Sequence, residues 1–148
     1  FLSTSPVGSP FPVSGLPKPV FIADDQVIAL DPQRPLAYYN RGNAYAAKGD
    51  LDQAIADYDQ VIALEPQYAL AYNNRGNAYY DKGDLEQALA DYDQTLALDP
   101  TFTPAYSNRG NVYADQGDLD RAIADYDQAI ALNPQDGKAY YNRGAAYY

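Results

Sequence analysis

The chain has 148 residues, 47% of them hydrophobic, which is enough for one ordered body of ordinary domain size. Asp and Glu outnumber Lys and Arg by 20 to 10, and the net charge of −10 argues against nucleic acid and anionic lipid surfaces as partners. The absence of Cys and His excludes disulfides, thiolate nucleophiles, zinc–thiolate sites and a serine–histidine pair, and no apolar run approaches the roughly 20 residues of a membrane span.

The first 19 residues are rich in proline, which excludes a helix there and favours a polyproline II or extended strand. We predict an extended arm over residues 1–19, either docked along a neighbouring subunit or serving as a flexible linker. If the protein is secreted, we expect covalent glycans on this arm, because hydroxyl residues near prolines permit O-glycosylation. The candidate residues are Ser3, Thr4, Ser5, Ser9 and Ser14.

The chain begins at Phe1 and contains no Met. A cleaved secretory signal explains this start and predicts an extracellular or cell-surface location. A fragment boundary explains it equally well, and a fragment of an adaptor is expected to be cytoplasmic. Both interpretations stay open at this point.

Residues 20–34 form an incomplete unit that follows the arm. Val20 to Leu30, followed by Asp31 and Pro32, matches the ends of later helices such as the stretch Val61 to Leu64. This unit is therefore interpreted as the second helix of a hairpin that lacks its first helix.

A period of 34 residues governs the chain from residue 35 onward. The Asp-Tyr-Asp-Gln motif and a proline both recur at this interval. Because several residue types hold the period together, the sequence predicts an array of repeated structural units. Residues 34 positions apart, or a multiple of 34, are called equivalent below. The tripeptide Asn-Arg-Gly shows the interval most clearly, beginning at Asn40, Asn74, Asn108 and Asn142.

Each period predicts two helices. Pro35 to Lys48 carries aromatic and small residues at helical spacing, which indicates the first helix. Gly49 can adopt the left-handed backbone conformation that ends the first helix. Asp50 with Gln53 forms a capping-box pattern at the start of the next helix. The second helix is predicted from about Leu51 to Leu64.

This pattern resembles the tetratricopeptide repeat (TPR) family. The residues stand where that family places its large aromatic, glycine, tyrosine, alanine, second aromatic and proline: Tyr38, Gly42, Tyr45, Ala54, Tyr58 and Pro66. The family often has tryptophan at the first of these positions, and tyrosine conserves its shape. The resemblance, which covers residues 35–136, implies an all-α fold, a right-handed TPR solenoid of antiparallel helix hairpins. The proline content adds an N-terminal Pro-rich extended arm to this fold.

The resemblance divides the chain into six parts. The N-terminal parts are the arm (1–19) and a half-repeat that contains only a second helix (20–34). Three TPR units follow, over residues 35–68, 69–102 and 103–136. The last part is a half-repeat that contains only a first helix (137–148).

The two half-repeats carry complementary apolar residues. Two different complementary surfaces on one molecule make a heterologous contact, which propagates unless it closes into a ring. The favoured hypothesis is therefore a structural protomer that self-assembles head to tail into a filament, and truncation of a longer array is the alternative. The predicted junction residues are Phe21, Val27, Ile28 and Leu30 at one end and Tyr140, Tyr141, Tyr147 and Tyr148 at the other.

The resemblance also implies that the first helices line a concave surface. Amides recur there, and each amide can donate to a carbonyl and accept from an N–H of an extended peptide. The second hypothesis is therefore a monomeric adaptor that binds such a peptide ligand. Simple duplication of one repeat would also explain why the asparagines recur. The predicted groove residues are Asn40, Asn43, Asn74, Asn77, Asn108, Asn111 and Asn142.

Some family members clamp a terminal carboxylate with groove cations. This chain has Leu36, Leu70 and Pro104 where such a cation could stand, and only Lys138 fits, so a clamp of this kind is not expected.

The repeated charges do not predict an active site. The Arg of each Asn-Arg-Gly motif is expected to pair with a nearby Asp. Residues two apart on a helix, such as Asp57 and Asp59, point about 200° from each other, so one pair cannot chelate calcium or act as acid and base. We interpret these carboxylates as a solvated face and expect a non-catalytic protein without cofactor or metal.

Overall fold

The computed structural model describes the backbone of residues 19–148 and the side chains of residues 23–148. This part of the chain is all-α, which confirms the predicted fold class. The helices pack in chain order, each against the next, as antiparallel hairpins. They are α1 (Pro19–Leu30), α2 (Pro35–Lys48), α3 (Leu51–Leu64), α4 (Ala69–Lys82), α5 (Leu85–Leu98), α6 (Thr103–Asp115), α7 (Leu119–Leu132) and α8 (Gly137–Ala146).

Each full hairpin turns at a left-handed glycine, as predicted. Gly49 has a φ of 83°, a conformation that residues with a Cβ rarely adopt. Its N–H donates to the carbonyl of Ala46, and the N–H of Asp50 donates to the carbonyl of Tyr45. These two hydrogen bonds satisfy carbonyls at the end of α2 and reverse the chain within two residues.

The predicted capping box at Asp50 is wrong, because its side chain accepts no cap hydrogen bond. Asp84 at the start of α5 behaves in the same way. Only in the third hairpin does the equivalent residue cap its helix, where Asp118 Oδ1 accepts from the Arg121 N–H at 3.1 Å. Backbone hydrogen bonds at the left-handed glycine define the other two turns.

The two helices of a hairpin touch at a glycine and a tyrosine. A Cβ added to Gly42 would lie 2.9 Å from Tyr58 Cε1, which is closer than carbon atoms can pack. The same contact joins Gly76 to Tyr92, and it recurs in the third hairpin. The glycine therefore lets the tyrosine ring lie directly on the backbone of the first helix.

Second helices are buried on two sides, by their own first helix and by the next one. Tyr38, Val61 and Ala71, from three successive helices, form one buried cluster. Further clusters of the same kind join α5 to α6 and α7 to α8. The core is therefore a continuous strip between neighbouring helices and has no single centre.

Each end of the array exposes a face that is buried inside it. Val61 is 0% exposed, whereas its equivalent Val27 on α1 is 36% exposed. Tyr38 is 8% exposed, whereas its equivalent Tyr140 on α8 is 44% exposed. Leu30, Tyr141, Tyr147 and Tyr148 are also exposed, while Ile28 packs partly against the first buried cluster.

Several predictions concern residues outside the described part of the chain. They are the arm predicted over residues 1–19, of which only Pro19 is described and begins α1, the glycosylation candidates Ser3, Thr4, Ser5, Ser9 and Ser14, and the side chain of Phe21.

Gly76→Ala is expected to lower the free energy of unfolding by about 1–3 kcal/mol, because the added methyl overlaps the buried Tyr92 ring. Its matched control is Gly144→Ala on α8, where a Cβ meets nothing within 4 Å. That substitution is expected to raise stability by up to about 1 kcal/mol, since Ala favours helix. Urea unfolding followed by circular dichroism measures both, and equal destabilisation would contradict the packing role of Gly76.

Candidate binding groove

A row of asparagines links successive first helices. The Nδ2 group of Asn74 on α4 donates to Asn43 Oδ1 on α2 at 3.0 Å. Asn108 on α6 donates in the same way to Asn77 on α4 at 3.0 Å. The hydrogen bond from Asn142 on α8 to Asn111 on α6 extends the row at 2.9 Å. These side chains therefore form one ladder along α2, α4, α6 and α8.

A buried tyrosine from each second helix completes the ladder. Tyr58 OH donates to Asn43 Oδ1 at 2.8 Å, and Tyr92 and Tyr126 make the equivalent bonds. Burial raises the pKa of Tyr126 to about 12, so the phenol remains a donor at neutral pH. Asn43 Oδ1 thus accepts two hydrogen bonds, which uses both of its lone pairs.

The ladder leaves amide donors available on the groove side. Among the described residues, no acceptor is bound by the Nδ2 groups of Asn43, Asn77 and Asn111. The Oδ1 of Asn108 likewise has no donor, because both of its hydrogen bonds are made through Nδ2. Because these four asparagines also line depressions of the groove, their free N–H groups and the free carbonyl are available to a ligand.

The ladder is interrupted at the third repeat. Asn74 gives its second hydrogen bond to Tyr39 OH, and Asn108 gives its second to Asn73 Oδ1. The equivalent residue for Asn142 is Ser107, whose side chain is shorter. The Ser107 hydroxyl is buried without a hydrogen-bond partner among the described residues.

Asn40 is the predicted groove residue that stands apart from the ladder. It is exposed, and its side chain pairs with Asp24 on α1. Asp24 occupies the position equivalent to Tyr58 and is mostly buried, with one carboxylate oxygen lacking a hydrogen bond. Burial raises the pKa of Asp24, although the hydrogen bond from Asn40 opposes this effect. The first ladder step is thus replaced by an acidic contact.

Three adjoining depressions follow the ladder along the groove. The one between α2 and α4 has a volume of about 210 Å³ and is lined by Ala46, Asn77 and Asp81 among others. The next, of about 250 Å³, shares Asn77 and Asp81 and adds Tyr80. The last, of about 410 Å³, lies beside α8. The first two depressions share Asn77 and Asp81, and the last two share Tyr80 and Asn111, so the three follow one another along the first helices.

One cross-repeat hydrogen bond distinguishes the last depression. Tyr80 OH on α4 donates to Asp115 Oδ2 on α6 at 2.6 Å. This hydrogen bond and burial raise the pKa of Tyr80 to about 12. Tyr80 is equivalent to Ala46 and Ala114, so the bridge occurs at one step of the array only.

The groove walls carry negative but not positive side chains. Asp81 and Asp115 line the three depressions, and no Lys or Arg does. Lys138, the predicted remnant of a clamp, is exposed and lies outside them. A terminal carboxylate therefore meets no cation on these walls.

A second ladder, made of ion pairs, joins the repeats away from the groove. Arg41 donates through Nε and Nη2 to the two oxygens of Asp57 at 2.8 and 2.7 Å. Its Nη1 donates to Asp25 on the preceding second helix at 2.7 Å. Arg75 and Arg109 repeat this three-bond arrangement.

The interpretation of all the repeated Asp as a solvated face is wrong. Asp57 is 4% exposed, and its equivalents Asp91 and Asp125 are similarly buried. A bidentate guanidinium compensates each buried carboxylate, which is the geometry that Arg provides and Lys does not. The partners lie 16 residues away on the first helix, so the spacing within one helix did not indicate them.

Arg143 on α8 has only part of this arrangement. It donates to Asp127 at 2.6 Å, but its Nε and Nη2 have no carboxylate partner among the described residues. The guanidinium also lies over Tyr140, with its Cζ 5.4 Å from the ring centroid. The exposed end of α8 thus offers a cation and an aromatic ring side by side.

Two other classes of site are absent from the described part of the chain. No group of three or more acidic residues there is arranged to hold a metal ion. No helix there is long and apolar enough to cross a membrane.

Family models match most of the chain. The model described as "TPR repeat" matches residues 42–82, 76–117 and 110–148. The model described as "Tetratricopeptide repeat" matches residues 25–56. A comparison with curated proteins finds no match.

Solved structures with the same fold are numerous. MamA is 28% identical over 86% of this chain and 74% of its own, with a TM-score of 0.81. The first TPR of Spaghetti (RPAP3), bound to the HSP90 peptide SRMEEVD, is 28% identical over 79% of this chain and 93% of its own, with a TM-score of 0.75. The second TPR domain of human RPAP3, in complex with the HSP70 peptide SGPTIEEVD, is 27% identical over 78% and 99%, with a TM-score of 0.72.

Arg75→Lys is expected to lower the free energy of unfolding by about 2 kcal/mol, because Lys keeps the charge but cannot bind both oxygens of the buried Asp91. Arg143→Lys is the matched control and is expected to change stability by less than about 0.5 kcal/mol, since its only ion pair is exposed. Thermal and urea unfolding of both variants measure the difference. Similar values for the two would show that the bidentate pairs do not hold the repeats together.

Proposed function

Because the chain belongs to the tetratricopeptide repeat family, whose domains are scaffolds for protein–protein interaction, we propose that its groove binds an extended peptide. The observation that carries this proposal is the half-used asparagine ladder. Asn43, Asn77 and Asn111 each accept two hydrogen bonds through Oδ1, one from a tyrosine and one from the next first helix, while their Nδ2 groups have no acceptor among the described residues.

The free amide groups match the chemistry of a peptide backbone. Nδ2 donors on Asn43, Asn77 and Asn111 can each donate to a carbonyl of the ligand, and the free Oδ1 of Asn108 can accept from an N–H. Because the ladder bonds hold these amides in place before binding, little side-chain entropy is lost on association. Such contacts recognise the backbone of the ligand and not its side chains, so they suit an extended segment of varied sequence.

The structural relatives support a ligand of this class. Two of them were solved with short peptides bound, the RPAP3 domains with SRMEEVD and SGPTIEEVD. This chain covers most of each of those domains at 28% and 27% identity. A groove of similar length is therefore available here, while its charge differs from one that receives acidic peptides.

A second candidate function is head-to-tail self-association, which the exposed end faces favour. The Val27 face of α1 and the Tyr140 face of α8 correspond to surfaces that bury each other inside the array. A second copy that places its α1 on α8 rebuilds a hairpin between molecules. Repetition of that contact would give a filament.

The repeat register identifies the residues that would face each other at this contact. By equivalence with Tyr58 and Gly42, Asp24 of one copy lies against Gly144 of the other. Gly144 is next to Arg143, whose Nε and Nη2 have no partner among the described residues. The position equivalent to Asp57 on α1 is Ala23, so the second copy supplies the packing face but no carboxylate for these two nitrogens.

Filling the groove is expected to abolish peptide binding. Ala46→Tyr combined with Ala114→Tyr places a ring in two depressions, at positions where Tyr80 shows that the fold accepts one. Random peptides selected on the parent chain are expected to lose at least about tenfold in affinity for this variant. Gln94→Tyr, on an exposed part of α5, is the control and is expected to bind normally. Failure to select any peptide, or equal binding by both variants, would contradict the groove proposal.

Self-association is expected to depend on the two end faces. Sedimentation velocity over a dilution series of the 148-residue chain, with negative-stain electron microscopy, is expected to show polymers that shorten on dilution. Tyr140→Asp combined with Tyr147→Asp should abolish them, because it charges the exposed face of α8. Leu36→Asp combined with Leu70→Asp charges exposed apolar residues away from both ends and should leave them intact. A parent chain that stays monomeric at high concentration would exclude this function.

A further inference from the structure

We infer that the groove selects a basic extended segment, one whose Lys or Arg side chains pair with Asp81 and Asp115, over an acidic or neutral one. The inference rests on the proposed function, since it names the class of peptide that the same groove takes. It uses Asp81 and Asp115, which replace the Ala47 of the first repeat, and Tyr80, none of which takes part in the asparagine ladder.

The two carboxylates occupy equivalent positions on successive first helices. Asp81 on α4 lines the first two depressions, and Asp115 on α6 lines the third. Both side chains are exposed, so a ligand can reach them. The equivalent residue in the first repeat is Ala47, which places the acidic stretch in the middle and at the α8 end of the groove.

Tyr80 orients one of these carboxylates. Its hydroxyl donates to Asp115 Oδ2, which leaves Asp115 Oδ1 without a donor among the described residues and open to a ligand cation. The ring of Tyr80 lines two of the depressions, beside Asp81 in the chain. An aromatic face next to carboxylates suits an ammonium or a guanidinium, which can form an ion pair and lie against the ring.

Within the described part of the chain, no Lys or Arg lines these depressions. Arg41, Arg75 and Arg109 are bound to Asp residues of the second helices. Lys82 follows Asp81 in the chain, but its ammonium pairs with Asp52 on α3. The charge of the groove walls therefore has the same sign as the net charge of −10, and the two together attract cationic segments.

The spacing of the carboxylates predicts the spacing of the ligand cations. The ladder hydrogen bond between Asn77 and Asn108 shows that α4 and α6 are direct neighbours. Packed helices lie about 8–10 Å apart, and an extended polyproline II segment rises about 3.1 Å per residue. Basic residues three positions apart are therefore placed to reach Asp81 and Asp115 together.

Three synthetic peptides of equal length test the inference. Each alternates Ala and Pro with a third residue, which is Lys in the first, Gln in the second and Glu in the third. Fluorescence anisotropy with the full chain, at low and at physiological salt, is expected to show that the Lys peptide binds at least about tenfold more tightly than the Gln peptide. The Glu peptide is expected not to bind.

A matched pair of variants separates groove charge from overall charge. Asp81→Asn combined with Asp115→Asn is expected to weaken the Lys peptide about tenfold and to leave the Gln peptide unchanged. Glu65→Gln combined with Glu86→Gln removes the same net charge from exposed residues outside the groove, and is expected to change affinity less than about twofold. An equal loss of affinity in both variants would overturn the inference, because binding would then depend on the net charge of the protein and not on Asp81 and Asp115.

The outcomes distinguish this inference from the proposed function. If the Gln or Glu peptide binds as tightly as the Lys peptide, and the Ala46→Tyr and Ala114→Tyr variant blocks it, the groove function stands and the basic preference is wrong. If the Lys peptide does not bind, the preference is wrong as well. The random-peptide selection then decides by itself whether the groove binds peptide.

Discussion

The contact between a first-helix glycine and a second-helix tyrosine determines both the packing and the groove. Because Gly42 has no Cβ, the Tyr58 ring lies on the backbone of α2, within 2.9 Å of where that atom would stand. The ring fills the hairpin core, and its hydroxyl reaches Asn43 on the groove side. One side chain thus sets the distance between two helices and the orientation of an amide. A wider hairpin would separate the phenol from the amide and release the ladder.

The Arg–Asp ladder and the asparagine ladder join successive repeats in different ways. Burying an ion pair often adds no net stability over an apolar contact, but removing one partner of such a pair is costly. Arg75 has one partner in its own hairpin, Asp91, and one in the preceding hairpin, Asp59, so any change in the angle between hairpins separates charges. The Arg ladder therefore fixes geometry more than it adds stability. With that geometry fixed, the amides of successive first helices stay within hydrogen-bond distance of each other.

Features that the period carries could be predicted from the sequence, and features that depend on contacts between distant helices could not. The boundaries of α2 and α3 follow from local signals, and the structure places both helices where these signals indicate. The burial of Asp57 could not be inferred from its own helix, because its compensating guanidinium lies on another one. Likewise, the recurring asparagines indicated a groove. The sequence could not show that Asn43 Oδ1 already accepts hydrogen bonds from Tyr58 and from Asn74 of the next repeat. Ser107 and Asp24 show the same limit, since each interrupts a ladder that only the assembled array reveals.

In an array built from one repeated unit, a departure from the period is informative because repetition alone does not explain it. Gly42, Asn43 and Tyr58 recur in every full repeat, and each has a structural contact that accounts for its recurrence. Tyr80 and Asp115, by contrast, form a bond that occurs only once in the described array, and packing between helices does not require it. Both residues line the groove, and the contacts that hold the helices together are made by the recurring residues. Asp115 repeats Asp81, whereas the first repeat has Ala47 at that position, and Tyr80 stands where the other two full repeats have Ala46 and Ala114. These differences between repeats lie in the groove, and the two carboxylates are the strongest indication of what it binds.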